Sequence, residues 1–253
     1  MIGYGGISVL NAISSGIGSV IPINLYFETK IVNDILNINE IDKIILEKVF
    51  KTKITEKGIR KKSNIPMGVG LKSSSAYTVS LIGAFSEFYN LKLSNIEIAK
   101  LSSKISKKMG ISITGAFDDA LASISSMFVI TNNFKNKIIK IKKTKKMKVI
   151  IAIPEFKRPE NIKERLKKFD FSEAINYVMN GDIEKGAILN GYLVGKALGY
   201  PVQYIDDLLN LGSKMVSYSG NGPAIYAVVN NNNIEKIIEY MKKTGKIILT
   251  ETR

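Results

Sequence analysis

The stretch from Pro66 to Ala76, PMGVGLKSSSA, stands directly before a run with helical spacing, and its reading decides the rest of the chain. Gly68 and Gly70 let the backbone come close to an anion. The first turn of the following helix adds unpaired N–H groups and the positive end of its dipole. Phosphate is the occupant such a loop predicts. Ser73, Ser74 and Ser75 add hydroxyls that can bond phosphate oxygens or ligate Mg²⁺, a hard cation that keeps several waters, and Lys72 adds a point charge. The Walker spacing G-x-x-x-x-G-K-[ST] occurs nowhere in the chain, and the loop is not a dinucleotide fingerprint. Taken alone it is equally compatible with a Gly/Ser turn that caps a helix through Ser73 or Ser74.

After the loop, Ala76, Val79, Leu81, Ile82, Phe85 and Phe88 recur at helical spacing and predict a buried helix over Ser74 to Tyr89. Ser94 and Glu97 form a capping box that opens a second helix running to about Met109. A short helix follows at Phe117 to Ser125, then a strand at Met127 to Thr131. Before the loop the chain reads as mostly β, with apolar runs at Ser19 to Tyr26 and Ile44 to Phe50. The run Lys135 to Lys148, KNKIIKIKKTKKMK, alternates like a half-exposed strand and hairpin and leads to a new apolar strand, Met147 to Pro154. A domain boundary is expected there, near residue 145. Beyond it the pattern predicts helices at Pro159 to Lys168, Phe171 to Asn180, Asp182 to Leu198 and after Pro201. A strand at Ala224 to Val229, a helix at Asn233 to Lys243 and a strand at Lys246 to Thr250 complete the chain. Antiparallel sheets with helices on one face fit this order, so the class is α+β.

The chain has 253 residues, 37 Lys+Arg against 22 Asp+Glu, a formal charge of +15, and neither Cys nor His. Disulfides, thiolate or imidazole catalysis and Cys/His metal sites are thereby excluded, and chemistry must rest on carboxylates, hydroxyls, lysines and backbone. Only Arg60, Arg158, Arg165 and Arg253 are arginines. The lysine run lacks the interleaved aromatics of a single-strand-binding platform, so a Lys-rich solvated surface is the plainer reading of the charge. No apolar stretch reaches the length of a membrane span, and the N-terminus lacks the basic start of a secretory signal; a cytoplasmic protein without membrane contact is expected.

Three segments taken together resemble a known family. PMGVGLKSSSA is similar to the second motif of the GHMP small-molecule kinases, ITGAFDDA (Ile113 to Ala120) to the region carrying their catalytic aspartate, and SYSGNGPAIYAVV (Ser217 to Val229) to their Gly-rich third motif. They fall in the family's order across most of the chain. The variants GLKSSSA and TGAFDDA resemble the form found in archaeal shikimate kinases, a branch of that family.

The resemblance implies a two-domain fold. Residues 1–145 would form a ribosomal protein S5 domain 2-like N-terminal domain with the phosphate loop, and residues 146–253 a ferredoxin-like C-terminal domain. It implies ATP held on Pro66, Met67, Gly68, Val69, Gly70, Leu71, Lys72, Ser73, Ser74, Ser75 and Ala76, with Ser74 a ligand of Mg²⁺. Asn11, in VLNAISSG, is similar to the Asn of the first motif, and Asn221 and Gly222 would help close the site. Asp118 matches the family's catalytic Asp and Asp119 takes the place of the following Asn. With no His in the chain, an aspartate is the natural acceptor of the hydroxyl proton. The implied acceptor is shikimate, whose carboxylate favours a bidentate arginine, and Arg158 in PEFKRPE is the candidate. Lys72 stands where the wider family has Gly, in agreement with the shikimate kinase form. Mevalonate kinases carry a metal-binding Glu ahead of the catalytic Asp, where this chain has Lys107; Glu97 is too far back to replace it. A kinase for another alcohol such as homoserine, and a non-catalytic basic nucleic-acid-binding protein, are the alternatives. Acids at the site centre would repel a nucleic-acid backbone and disfavour the latter.

Overall fold

The computed structural model describes residues 1–32, 39–51 and 58–253. In chain order the elements are β1 (Ile2–Leu10), α1 (Ala12–Ser15), β2 (Ile17–Val32), α2 (Glu40–Phe50), β3 (Gly58–Ser63), α3 (Ser73–Phe88), α4 (Asn95–Lys108), α5 (Phe117–Ser125), β4 (Phe128–Asn132) and β5 (Lys137–Lys142). There follow β6 (Lys148–Ile153), α6 (Ile162–Leu166), α7 (Ser172–Met179), α8 (Ile183–Leu198), α9 (Gln203–Asn210), β7 (Met215–Tyr218), β8 (Ile225–Val229), α10 (Ile234–Lys242) and β9 (Lys246–Glu251).

Two antiparallel sheets organise these elements. In the first, the long strand β2 is shared: β1 pairs along one edge, while β4 and β3 take opposite ends of the other and β5 extends β4. The second has the order β7-β8-β6-β9. Helices α2 to α5 cover one face of the first sheet, burying Ile45, Val79, Ile82, Phe85, Ile98, Phe117 and Leu121 against Val20 and Val129. Each such side chain contributes about 1.5–3 kcal/mol when fully buried. Ile7, Val9, Ile21 and Ile23 of the first sheet share one core with Val149, Ile151, Tyr226 and Val228 of the second. The chain end ties them further, Ile23 bridging Thr252 and Arg253 N donating to Pro22 O at 3.0 Å.

The α+β expectation holds, as do the helices after the loop and the Ser94–Glu97 capping box. One segment differs. Ile44 to Phe50, expected as β, lies in helix α2, where Asn39 accepts from Asp42 N at 2.8 Å as N-cap and Glu40 and Asp42 favour the dipole. Ile41, Ile45 and Val49 follow a helical spacing that the dense apolar run obscured. The helix expected over Pro159 to Lys168 shortens to α6, and β7 forms where no strand was expected.

Candidate active site

The loop PMGVGLKSSSA passes between β1 and the third motif and is stitched to both. Gly6 N donates to Leu71 O at 3.3 Å, Ser219 Oγ to Gly70 O at 2.8 Å and Ala224 N to Val69 O at 3.1 Å. Gly70 has φ +96, and a Cβ there would come within 2.0 Å of Ser219 O. Its glycine is therefore demanded by contact with another backbone rather than by space for phosphate. Gly68, at φ +75, faces open space.

Helix α3 is not capped by Ser73 or Ser74. Its N-cap is Lys72, in the left-handed region at φ 69 with no side-chain cap bond. That conformation costs a non-glycine residue about 1 kcal/mol. It leaves the first N–H groups of α3 without intrahelical partners, opening onto a cavity of about 250 Å³. It also sends the lysine side chain, 7 % exposed, to Asp119: Nζ stands 3.0 Å from Oδ1 and donates to Ser8 Oγ at 2.6 Å. The contact with Asp119 is an ion pair rather than a directed hydrogen bond, and Oδ1 has no other partner among the described residues.

Helix α5 brings its own N-terminus to the same cavity, carrying Asp118 and Asp119 in its first turn. The two acids differ in setting. Asp119 is 18 % exposed beside Lys72, whereas Asp118 is 4 % exposed and accepts from Asn133 Nδ2 at 2.7 Å. Burial first, then the neighbouring charge of Asp119, push the Asp118 carboxyl up to about 7, against the opposing pull of Lys72 and Asn133. The folded protein thus holds a proton that the unfolded chain releases near pH 4. Stability is accordingly lost as pH rises from about 4 to about 7, and the loss is complete above that range.

Of the residues expected in the site, Gly68, Gly70, Lys72, Ser73, Ser74, Ser75, Asn11, Asn221, Asp118, Asp119 and Arg158 all line the cavity. Pro66, Met67, Val69, Leu71 and Ala76 lie outside its lining; Met67 is exposed, and Leu71 and Ala76 are fully buried in the core beneath. Asn11 is committed to protein. It caps α1 through Ile13 N at 2.9 Å and donates to Gly220 O and Asn221 Oδ1, each at 2.9 Å. Gly222 is the anchor of Arg158, whose Nε donates to its carbonyl at 2.7 Å. Burial lowers the pKa of that guanidinium, and among the described residues no carboxylate pairs with it.

Sequence reasoning missed Ser8, Thr114, Asn133 and the segment from Gly110 to Thr114, whose exposed Ile111 and Ile113 give the cavity an apolar wall. Nothing in TNNF marks Asn133 among so many asparagines. Glu97 is spent on its capping box with Ser94, and Lys107 is exposed on α4. Among the described residues no cluster of three or more acids could hold a metal on its own. Exposed Ser74 at the helix N-terminus remains a fitting single donor for a cation carried largely by phosphate oxygens and water.

A phosphate cradle, a lysine-paired acid and a guanidinium on one cavity are the parts of a phosphoryl-transfer site, and the comparisons agree. Residues 39–127 match the profile of the GHMP kinases N terminal domain. Along 99 % of its length the chain is 32 % identical to the shikimate kinase of Pyrococcus furiosus, covering 98 % of that protein. It is 31 % identical to the shikimate kinase of Archaeoglobus fulgidus over 96 % of this chain and 89 % of that one. Among solved structures, mevalonate kinase from L. major in complex with R-mevalonate superposes with a TM-score of 0.77 at 14 % identity, covering 100 % of this chain and 95 % of that one. Mevalonate kinase from Methanococcus jannaschii does so with a TM-score of 0.73 at 18 % identity, covering 100 % and 98 %. The chain belongs to the GHMP kinase family and has its fold. Within that family its curated relatives of about 30 % identity over nearly the whole chain are named shikimate kinase.

Proposed function

We propose that the protein transfers the γ-phosphoryl group of ATP to a hydroxyl of shikimate, giving shikimate 3-phosphate and ADP in aromatic biosynthesis. The observation that carries the reading is the Lys72–Asp119 pair at 3.0 Å beside the first turn of α3, because it sets a cation and a proton acceptor at one end of a phosphate cradle. The triphosphate lies along Gly68 to Ser75, its oxygens taking the unpaired N–H groups of α3. Ser74 would hold Mg²⁺, which when bound neutralises charge on the transferring phosphate. The substrate hydroxyl oxygen forms the new bond to Pγ, the bridging oxygen leaves with its electron pair on ADP, and the hydroxyl proton passes to the carboxylates.

The motif match ranks Asp118 first as acceptor, but geometry favours Asp119 as the acid that touches the hydroxyl. Asp119 faces the cavity beside Lys72, while both oxygens of Asp118 face protein. The division near residue 145 is supported by the sheets, the first ending with β5 at Lys142 and the second starting with β6 at Lys148. A cytoplasmic location fits a metabolic kinase in which, among the described residues, no helix is long and apolar enough to cross a membrane.

The deciding experiment measures ADP formation from Mg-ATP with shikimate, homoserine and mevalonate in parallel; turnover with shikimate alone is expected, and turnover with another acceptor only would overturn the substrate. Arg158 supplies a second check. Its Nε is spent on Gly222, which leaves the outer guanidinium nitrogens for the substrate carboxylate. Arg158→Ala is expected to raise the KM for shikimate about 10²-fold and that for ATP by less than threefold, as removing a charge-assisted bond of about 1.5–3 kcal/mol would do. An unchanged shikimate KM removes Arg158 from the site.

A further inference from the structure

One wall of the cavity comes from the end of α4 and the segment that joins it to α5. Gly110, at φ 68, leaves the helix in a left-handed turn, and the chain folds back on the last turn of α4. Ile111 N and Ser112 N both donate to Ser106 O, at 2.9 and 3.2 Å. At the other end Gly115, at φ 86, turns so close to α4 that a Cβ would come within 2.6 Å of Ser103 Oγ. The wall is fixed at both ends, and it brings Ser106, Ser112 and Thr114 to the cavity beside exposed Ile111 and Ile113.

These hydroxyls have little to do within the protein. Ser106 is 2 % exposed, and its hydroxyl has no hydrogen-bond partner among the described residues; nor has that of half-buried Ser112. Thr114, 6 % exposed, accepts at Oγ1 from Ala116 N at 3.2 Å and from Asn133 Nδ2 at 3.3 Å. The direction of the second bond is fixed, because Asn133 Oδ1 is already claimed by Asp118 N at 3.0 Å and Thr131 Oγ1 at 2.6 Å. With both lone pairs taken, the Thr114 hydroxyl has a proton to give and, among the described residues, no acceptor to take it. A buried donor of this kind is costly unless a ligand completes it. The Asn133 amide that bonds Thr114 also donates to Asp118 Oδ1 at 2.7 Å, so this donor stands one side chain away from the acids of α5. An alcohol whose oxygen reaches Asp119 brings the group on its neighbouring carbon toward Thr114, and Ile111 and Ile113 suit a carbon skeleton rather than a phosphate.

We propose that Thr114 and Ser106 select the acceptor by bonding the hydroxyls of a ring alcohol that are not phosphorylated. Thr114 donates to the oxygen on the carbon next to the reacting one, Ser106 bonds a further hydroxyl, and Ile111 and Ile113 cover the apolar side of the ring. The inference rests on the shikimate reading and deepens it, since it gives the means by which a ring triol is told from a chain alcohol such as homoserine. A site built to bond a hydroxyl disfavours the analogue that lacks it, because its own polar group is then left unpaired.

The test compares kcat/KM for shikimate and for an analogue lacking the 4-hydroxyl in the wild type, Thr114→Val, Thr114→Ser and Ser106→Ala. The wild type is expected to prefer shikimate about tenfold, the worth of one hydrogen bond. In Thr114→Val that preference is expected to vanish, because shikimate loses about tenfold through KM while the analogue, with no oxygen for the lost donor to serve, loses nothing. Thr114→Ser keeps the hydroxyl and is expected to restore the preference. Ser106→Ala breaks no hydrogen bond of the protein among the described residues and is expected to raise the shikimate KM about fivefold with kcat and the ATP KM unchanged. Valine at position 114 also removes the acceptor of Ala116 N and Asn133 Nδ2; should that variant not fold, Ser106→Ala and Thr114→Ser carry the test. Equal losses with shikimate and the analogue in Thr114→Val would make Thr114 structural, and a rise in the ATP KM alone would give its hydroxyl to a phosphate oxygen. Either result overturns the proposal, as does an unchanged shikimate KM in Ser106→Ala. Failure of the shikimate reading shows differently: the wild type itself would not turn shikimate over, and this inference would fall with it.

Discussion

Asp119→Asn is expected to lower kcat about 10³-fold while leaving the affinity for ATP unchanged or slightly raised. The substitution keeps shape and removes the only carboxylate in contact with Lys72 among the described residues. Lys72 keeps its bond to Ser8 Oγ at 2.6 Å, so the cation stays beside the phosphate loop while the proton acceptor is gone. Losing a negative charge there does not weaken binding of an anionic nucleotide. Single-turnover phosphoryl transfer and equilibrium binding of ATP separate the two effects. A fall in kcat below tenfold would show that Asp119 only orients Lys72, and a matching loss of ATP affinity would make it part of the nucleotide cradle.

Gly70→Val is expected to abolish measurable ATP binding and to destabilise the fold by about 3 kcal/mol or more, through backbone strain and a clash that cannot relax. At φ +96 the position already disfavours a side chain, and its Cβ would meet Ser219 O at 2.0 Å. Gly68→Ala is the contrast. Its Cβ meets nothing, so a cost of only about 1 kcal/mol and a modest change in ATP affinity are expected. Thermal unfolding and nucleotide titration of both variants decide the matter. Equal effects at the two positions would mean that the loop is not held by the third motif.

What the sequence revealed of the site follows from where its chemistry is local. The phosphate loop, the acid pair and the third motif are contiguous segments, and their residue types state their chemistry. Gly70, Lys72, Asp119 and Asn221 could be named from them. The partners could not, because Asn133, Ser8 and Gly18 reach the acids and Lys72 only through the folding of β1, β2 and β4 around α5. Even the ranking of Asp118 over Asp119 depended on the direction each side chain takes from the first turn of α5, and adjacent helix positions point about 100° apart. In the fold, helices flanked by caps were legible, as with Ser94 and Glu97. Helix α2 was not, since seven apolar residues in NINEIDKIILEKVF outweighed the Asn39 cap that marks its start.

The core shared by the two sheets bears on how the molecule comes apart. Ile21 and Ile23 pack with Val149 and Val228, and the last residues run back onto β2, so one of the hydrophobic clusters is common to both halves. Separating the halves would bare that interior on both sides at once. Heat or urea is therefore expected to melt the chain in a single cooperative transition, the same by fluorescence and by circular dichroism, and two resolved steps would contradict the common interior. A kinase built in this way is expected to meet its substrates with local adjustments at the rim of the cavity, since swinging one half against the other would bare part of the shared cluster.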